Sequence, residues 1–280
     1  MKTVTLPSGE PVPAIGLGTW RMGESRARRA AEGAAAGEAL DFGYRLIDTA
    51  EMYGDGGAEE VIGEALAGHP VGREQVFLVS KVYPHNASRS GVLAACARSR
   101  RRLRVERIDL YLLHWPGSVP IGETVDAFET LKARGEIGEW GVSNFDVAEL
   151  EELAGVTGGE RCAANQVYYS ASHRGVEFEL LPWQRARRIP TMAYSPIDQG
   201  ALGGHRALTQ IAGRHRATAA QVALAWLLRH PDVIVIPKAV DPRHLADNFA
   251  AASLTLTEED LADIDRAFPP PRRKAPLAML

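Results

Sequence analysis

Short apolar runs alternate with longer runs of helical period along almost the whole chain. Residues 15–18, 46–48, 76–80, 108–114, 137–143, 163–166, 190–194 and 233–237 are brief and mostly apolar. That is the pattern of strands buried on both faces of a parallel sheet. Between them, residues 26–42, 58–66, 88–103, 124–134, 146–154, 176–188 and 218–230 carry helical patterning, and 242–252 follows the last strand. Asp146 with Glu149, and Thr218 with Gln221, have capping-box spacing. A last helix, from about 257 to 268, opens Thr-Glu-Glu-Asp and stops at Pro269-Pro270-Pro271.

Eight strands, each followed by a helix, predict an α/β fold of the (β/α)8 TIM-barrel type. A doubly wound open sheet is the alternative, and its dinucleotide fingerprint is Gly-x-Gly-x-x-Gly. Here Gly16-Leu17-Gly18 is followed by Thr19-Trp20-Arg21, so the third glycine is missing. Ahead of the first strand, residues 2–6 and 10–12 flank Pro7-Ser8-Gly9 and read as a hairpin plugging the barrel bottom. No linker interrupts the pattern, so residues 1–280 form one expected domain.

Composition narrows the choice further. Hydrophobic residues make up 45% of 280 positions and the net charge is −3. Disorder and a nucleic-acid partner are therefore not expected. The basic run Arg98, Arg100, Arg101, Arg102 and Arg104 falls at a helix C-terminus, where cations favour the dipole. Two cysteines, Cys96 and Cys162, build neither a disulfide framework nor a zinc site. The histidines show no metal-ligand spacing, so no metal is expected. No apolar run nears the roughly 18 residues of a membrane span, and the N-terminus lacks signal-peptide features. A cytoplasmic monomer with no membrane partner is expected.

Barrel chemistry collects at the C-terminal ends of strands. Those positions hold Gly18, Thr19 and Trp20, then Asp48 with Tyr53 in the following Gly-rich loop, Lys81, and His114 with Trp115. Further round come Ser143 and Asn144, Gln166, Tyr194 with Ser195 and Pro196, and Lys238. A lysine closing an apolar strand is seldom buried unpaired. Lys81 can lower the pKa of the Tyr53 phenol, Asp48 can hold Lys81, and His114 can orient a substrate oxygen. Such a group suits protonation of a carbonyl oxygen while hydride arrives from elsewhere. No side chain donates hydride, so a cofactor is required. Tyr194 offers a flat face for a nicotinamide ring, and Ser143, Asn144 and Gln166 offer hydrogen bonds to its amide.

The segments Gly16-Leu17-Gly18-Thr19-Trp20, Leu46-Ile47-Asp48-Thr49-Ala50-Glu51-Met52-Tyr53-Gly54, Leu112-Leu113-His114-Trp115-Pro116 and Gly141-Val142-Ser143-Asn144-Phe145 resemble the aldo-keto reductase family. So do Asn165-Gln166, Tyr194-Ser195-Pro196 and Ile236-Pro237-Lys238, in order, over roughly residues 11–268. The resemblance implies reduction of aldehydes or ketones by a tetrad of Asp48, Tyr53, Lys81 and His114, with Tyr53 as general acid. It implies NADPH, held by Gly18, Thr19, Trp20, Asp48, Ser143, Asn144, Gln166, Tyr194, Ser195, Pro196, Ile197, Gln199, Lys238, Ala239, His244, Asp247 and Asn248. Asp55-Gly56-Gly57-Ala58-Glu59 points to the bacterial branch that includes methylglyoxal reductases.

Two positions depart from the family pattern. Ala239 stands where many members have serine, and His244 where many have arginine, with Arg243 one residue earlier. Both changes remove contacts to a 2′-phosphate, so NADH is an alternative donor, although Lys238 remains and Arg243 can compensate. Trp20, Tyr53, Tyr83, His114 and Trp115 are expected to line the substrate pocket. Residues 195–208 and the tail after Phe268 are short, which implies an open mouth accepting small aldehydes and α-oxoaldehydes. A Schiff-base lyase using Lys81 or Lys238, and a non-catalytic nucleotide sensor, are the competing readings.

Overall fold

The computed structural model describes residues 2–280. The hairpin pairs β1 (Thr3–Thr5) with β2 (Pro11–Pro13) in antiparallel register. Val4, Leu6 and Val12 are buried, and Lys2 Nζ donates to the carbonyl of Leu228. Eight parallel strands follow: β3 (Leu17–Gly18), β4 (Leu46–Asp48), β5 (Phe77–Val82), β6 (Ile108–Leu113), β7 (Ile137–Ser143), β8 (Asn165–Tyr168), β9 (Thr191–Tyr194) and β10 (Val233–Val235). Each pairs with its sequence neighbour. Bridges Ile15–Val235 and Gly18–Lys238 join the first strand to the last and close the barrel. The expected (β/α)8 fold is therefore the observed one.

The helices α1 (Arg29–Phe42), α2 (Gly57–Ala67), α3 (Arg89–Leu103), α4 (Ile121–Ala133) and α5 (Val147–Ala154) ring the sheet in chain order. They are followed by α6 (Leu180–Ala186), α7 (Arg206–His215), α8 (Ala219–Leu228), α9 (Pro242–Ala250) and α10 (Glu258–Ala267). The capping boxes at Asp146 and Thr218 form, and a third forms from Thr257 and Asp260. None of these helices is long and apolar enough to cross a membrane.

Differences from the sequence reading have local causes. The segment 176–188 splits into a 3-10 turn (Gly175–Glu177) and α6. Pro182 accounts for the break, because its ring excludes a helical carbonyl four residues earlier. Helix α7 falls where no helix was expected; its N-cap His205 makes no side-chain cap, and it ends on Arg216 at φ 53° rather than on glycine. Strand β5 runs to Val82, which places Lys81 inside the strand. Side chains alternate there: Ser80 donates outward to Glu59 on α2 at 2.7 Å, and Lys81 points into the barrel.

Gly18 sits on the closing seam. A Cβ at this position would lie 2.6 Å from the Ile236 carbonyl oxygen. Gly18→Ala should therefore force the seam apart at a cost of about 1–3 kcal/mol. Thermal unfolding should show a midpoint lower by several degrees, and an unchanged midpoint would mean that the seam relaxes without cost.

Candidate active site

The strand ends open into a cavity of about 670 Å³, within the usual range for ligand sites. At its floor lies Lys81, with no solvent exposure. Its Nζ donates to Asp48 Oδ1 at 2.7 Å, to the Thr49 carbonyl at 2.9 Å and to Tyr53 Oη at 3.1 Å. An ammonium has three hydrogens and no acceptor. All three are therefore engaged, and the Tyr53 oxygen must accept. The Tyr53 proton is left to point into the cavity. Asp48 is fixed on its other side, where Oδ2 accepts from Gln166 Nε2 at 2.7 Å.

Burial alone would lower the Lys81 pKa, but Asp48 and Tyr53 outweigh it and hold the ammonium above its ordinary value. The phenol behaves differently from the sequence expectation. Burial raises the Tyr53 pKa, the Lys81 charge opposes this, and Asp48 adds to the rise. The net shift is upward, so the hydroxyl stays protonated at neutral pH. Burial and the Lys81 charge drive His114 well below its ordinary value, so its imidazole is neutral. Its Nδ1 is buried without a partner among the described residues. The Tyr53 and His114 rings meet edge to face, with centroids 5.8 Å apart.

A second network lines the wall opposite. Asn144, at φ 59°, donates through Nδ2 to the His114 carbonyl at 3.0 Å and to Ser143 Oγ at 3.2 Å. Its Oδ1 accepts from the Tyr194 hydroxyl at 2.9 Å. Ser143 Oγ donates to the Gln166 carbonyl at 2.9 Å. Asn144 and Ser143 thus tie the Tyr194 ring to the His114 strand end. Gln166 does so for Asp48, which leaves its Oε1 with no protein donor among the described residues.

The cavity also brings together Gly18, Thr19, Trp20, Trp115, Ser195, Pro196, Ile197, Gln199, Lys238, His244, Asp247 and Asn248. Three expected residues lie off its surface. Lys81 sits beneath Asp48 and Tyr53. Ala239 is buried in the core cluster. Tyr83 stands behind Trp115, edge to face at 5.8 Å, because β5 runs two residues further than the apolar run suggested. Arg243 does not reach the cavity either; it folds back onto Asp241 at 3.1 Å with its side chain 85% exposed.

Arg21 was missed. It lines the cavity at φ 65° with its guanidinium 4.4 Å from the Trp20 ring centroid. With Lys238, it is one of two lining cations that make no ion pair among the described residues. Burial lowers the Lys238 pKa, and Arg28 and Arg21 add to that, against Glu32 and Glu24. Met279 and Leu280 were also missed. Lys274, bonded to Glu179 at 2.7 Å and 3.5 Å from Asp146, anchors a strap that carries both onto the cavity wall. The short tail therefore covers part of the mouth and does not leave it open. Four arginines of the basic run make ion pairs: Arg98 with Glu51 at 3.2 Å, Arg102 with Glu59 at 3.2 Å, Arg104 with Glu64 at 3.3 Å, and Arg100 with Glu136.

Residues 14–268 match the model of the Aldo/keto reductase family. A methylglyoxal reductase of Escherichia coli, YeaE, is 46% identical over 100% of this chain and 99% of its own length. A glyoxal reductase of Bacillus subtilis is 37% identical, covering 94% of this chain and 91% of its own. Among solved structures, an aldo/keto reductase from Klebsiella pneumoniae in complex with NADP and acetate superposes with a TM-score of 0.96. It is 47% identical, over 100% of this chain and 99% of its own. From fold, site and sequence together, the chain belongs to the aldo/keto reductase family of oxidoreductases.

Proposed function

We propose that this chain reduces small aldehydes and α-oxoaldehydes, methylglyoxal among them, to alcohols with NADPH. The observation that carries the reading is the saturated Lys81 ammonium, which leaves the Tyr53 proton facing the cavity. The residues present suit the cofactor. Gly18 allows close approach at the seam, Tyr194 gives an aromatic face, and Gln166 Oε1 can accept from an amide. Arg21 and Lys238 offer unpaired positive charge to phosphates. Bound there, NADPH supplies the hydride.

The side chains supply the rest. Neutral His114 hydrogen-bonds the substrate carbonyl oxygen and aims it at Tyr53. Tyr53 then transfers its proton to that oxygen as the alcohol forms. The phenolate left behind sits 3.1 Å from the Lys81 ammonium, which stabilises its charge. Asp48 balances Lys81, so the ammonium keeps its proton. Trp20, Met52, Trp115, Met279 and Leu280 form an apolar wall that limits water and substrate size. The two competing readings have less support: the Lys81 ammonium has no lone pair to attack a carbonyl, and the four side chains that a sensor could do without are all in place.

The methylglyoxal reductase and NADP-complexed relatives support this reading from outside the chain. On the finer choice of cofactor, Lys238 and Arg21 support NADPH. Loss of the serine and arginine at 239 and 244 supports residual use of NADH.

Three outcomes are expected. Tyr53→Phe should lower kcat/KM for methylglyoxal by about 10²–10⁴-fold, the usual worth of a positioned acid. NADPH affinity, read by fluorescence titration, should hold. Reduction needs the protonated phenol, so the rate is full below the Tyr53 pKa and falls as pH rises through it. With that pKa above its ordinary value of about 10, kcat/KM should stay flat across neutral pH and decline only on the strongly alkaline side. A break near the ordinary histidine value of about 6.5 would contradict the downward shift of His114. Lys238→Ala should weaken NADPH about tenfold or more while sparing NADH, as separate Kd measurements would show.

A further inference from the structure

Behind the Tyr194 ring lies a second, parallel ring. Tyr168 stacks on it at 5.6 Å and 14°, and His173 stacks on the far side of Tyr168 at 4.2 Å and 24°. Tyr168 is buried, and its hydroxyl donates to Asp198 Oδ1. The other Asp198 oxygen accepts from Ser172 Oγ at 3.0 Å, with His173 Nδ1 3.9 Å away. Asp198 is absent from the cavity surface, but its neighbours Ile197 and Gln199 are both on it.

The backbone of this loop is held in an unusual shape. Ser195, Asp198 and Gln199 all have positive φ, at 47°, 50° and 52°. L residues avoid this region, so three of them within five positions need something to hold them. Besides the turn bonds from Asp198 N to the Ser195 carbonyl at 2.9 Å and from Gly200 N to the Ile197 carbonyl at 3.0 Å, the loop's side-chain anchor is the Asp198 carboxylate. Hydrogen bonds to a carboxylate are among the stronger ones a side chain makes.

We infer that Asp198 is a latch: Tyr168 and Ser172, gripping it from behind, hold the 195–200 loop in the shape that retains NADPH. This rests on the nucleotide reading above. Asp198, Tyr168 and Ser172 are then positioning residues, since they act through Ile197, Gln199 and the Tyr194 platform. Tyr168→Phe keeps the stacked ring and removes only the grip.

The test is NADPH binding by fluorescence titration, with release followed by stopped-flow displacement. Tyr168→Phe/Ser172→Ala should raise the NADPH Kd about tenfold through a faster off-rate. The KM for methylglyoxal at saturating NADPH should stay within about twofold. Asp198→Asn, which keeps an acceptor for Tyr168, should stay closer to the unsubstituted protein than Asp198→Ala. Asp198→Gly relieves the backbone conformation without restoring the grip, so it should also weaken NADPH. Matching affinity in Asp198→Gly would overturn the latch. So would an NADPH Kd within about twofold for Tyr168→Phe/Ser172→Ala. If the double variant does not fold, Tyr168→Phe alone decides, with an expected rise of about threefold or more in the off-rate. Failure of the unsubstituted chain to bind NADPH would overturn the nucleotide reading and the latch together, whereas unchanged variants of a chain that binds would overturn the latch alone.

Discussion

A buried ammonium needs three acceptors, because any proton left unpaired in a low-dielectric core costs several kcal/mol. Much of this barrel mouth follows from meeting that need for Lys81. Parallel pairing of β4 with β5 brings Asp48 beside the lysine, since Asp48 faces Val79 two residues earlier on the neighbouring strand. The chain then turns so that the Thr49 carbonyl and the Tyr53 oxygen complete the set. Asp48 is itself buried and takes its remaining bond from Gln166, across the barrel on β8. One charge thus fixes residues from β4, β5 and β8, and its saturation determines which way the phenol proton points.

A second layer holds the loop that carries Tyr53. Glu51 is buried and accepts from the Tyr83 amide and Asn86 Nδ2, both at 2.9 Å, besides Arg98. Glu59 takes Ser80 on one oxygen and Arg102 on the other. Gly54, at φ 59°, allows the chain between them to pass against Gly23, whose carbonyl carbon would lie 2.7 Å from an added Cβ. A run of arginines that the sequence placed at a helix C-terminus is therefore also partly a set of counter-charges for carboxylates beneath the cavity.

The barrel was legible because its strands are buried on both faces and read as brief apolar runs, and because Asp146 and Thr218 announce their helices. That Asp48, Tyr53, Lys81 and His114 would lie together was legible, because three of them stand where an apolar stretch ends in an ionisable residue. What stayed hidden depends on contacts between distant segments. Tyr83 reads as a pocket aromatic, but the two extra residues of β5 turn it behind Trp115. The sign of the Tyr53 shift depends on burial, which a sequence does not display. Nothing in Arg21 or in the last residues marks them as cavity lining. Helix α7 lacks a side-chain cap of the kind that Asp146 and Thr218 provide for α5 and α8.

The strap that Lys274 fastens divides the pocket into parts of unequal rigidity. Its floor is strand and buried charge, where a change of one residue disturbs several others. Its outer wall is borrowed from a segment held by an ion pair whose lysine is half exposed, and such pairs weaken as salt rises. Tolerance of the cavity to bulkier carbonyls should accordingly depend on ionic strength, while the buried Lys81, Asp48 and Tyr53 network should not. On the proposed function, selectivity and proton transfer would be written on different stretches of chain, and one could be remodelled without reopening the other.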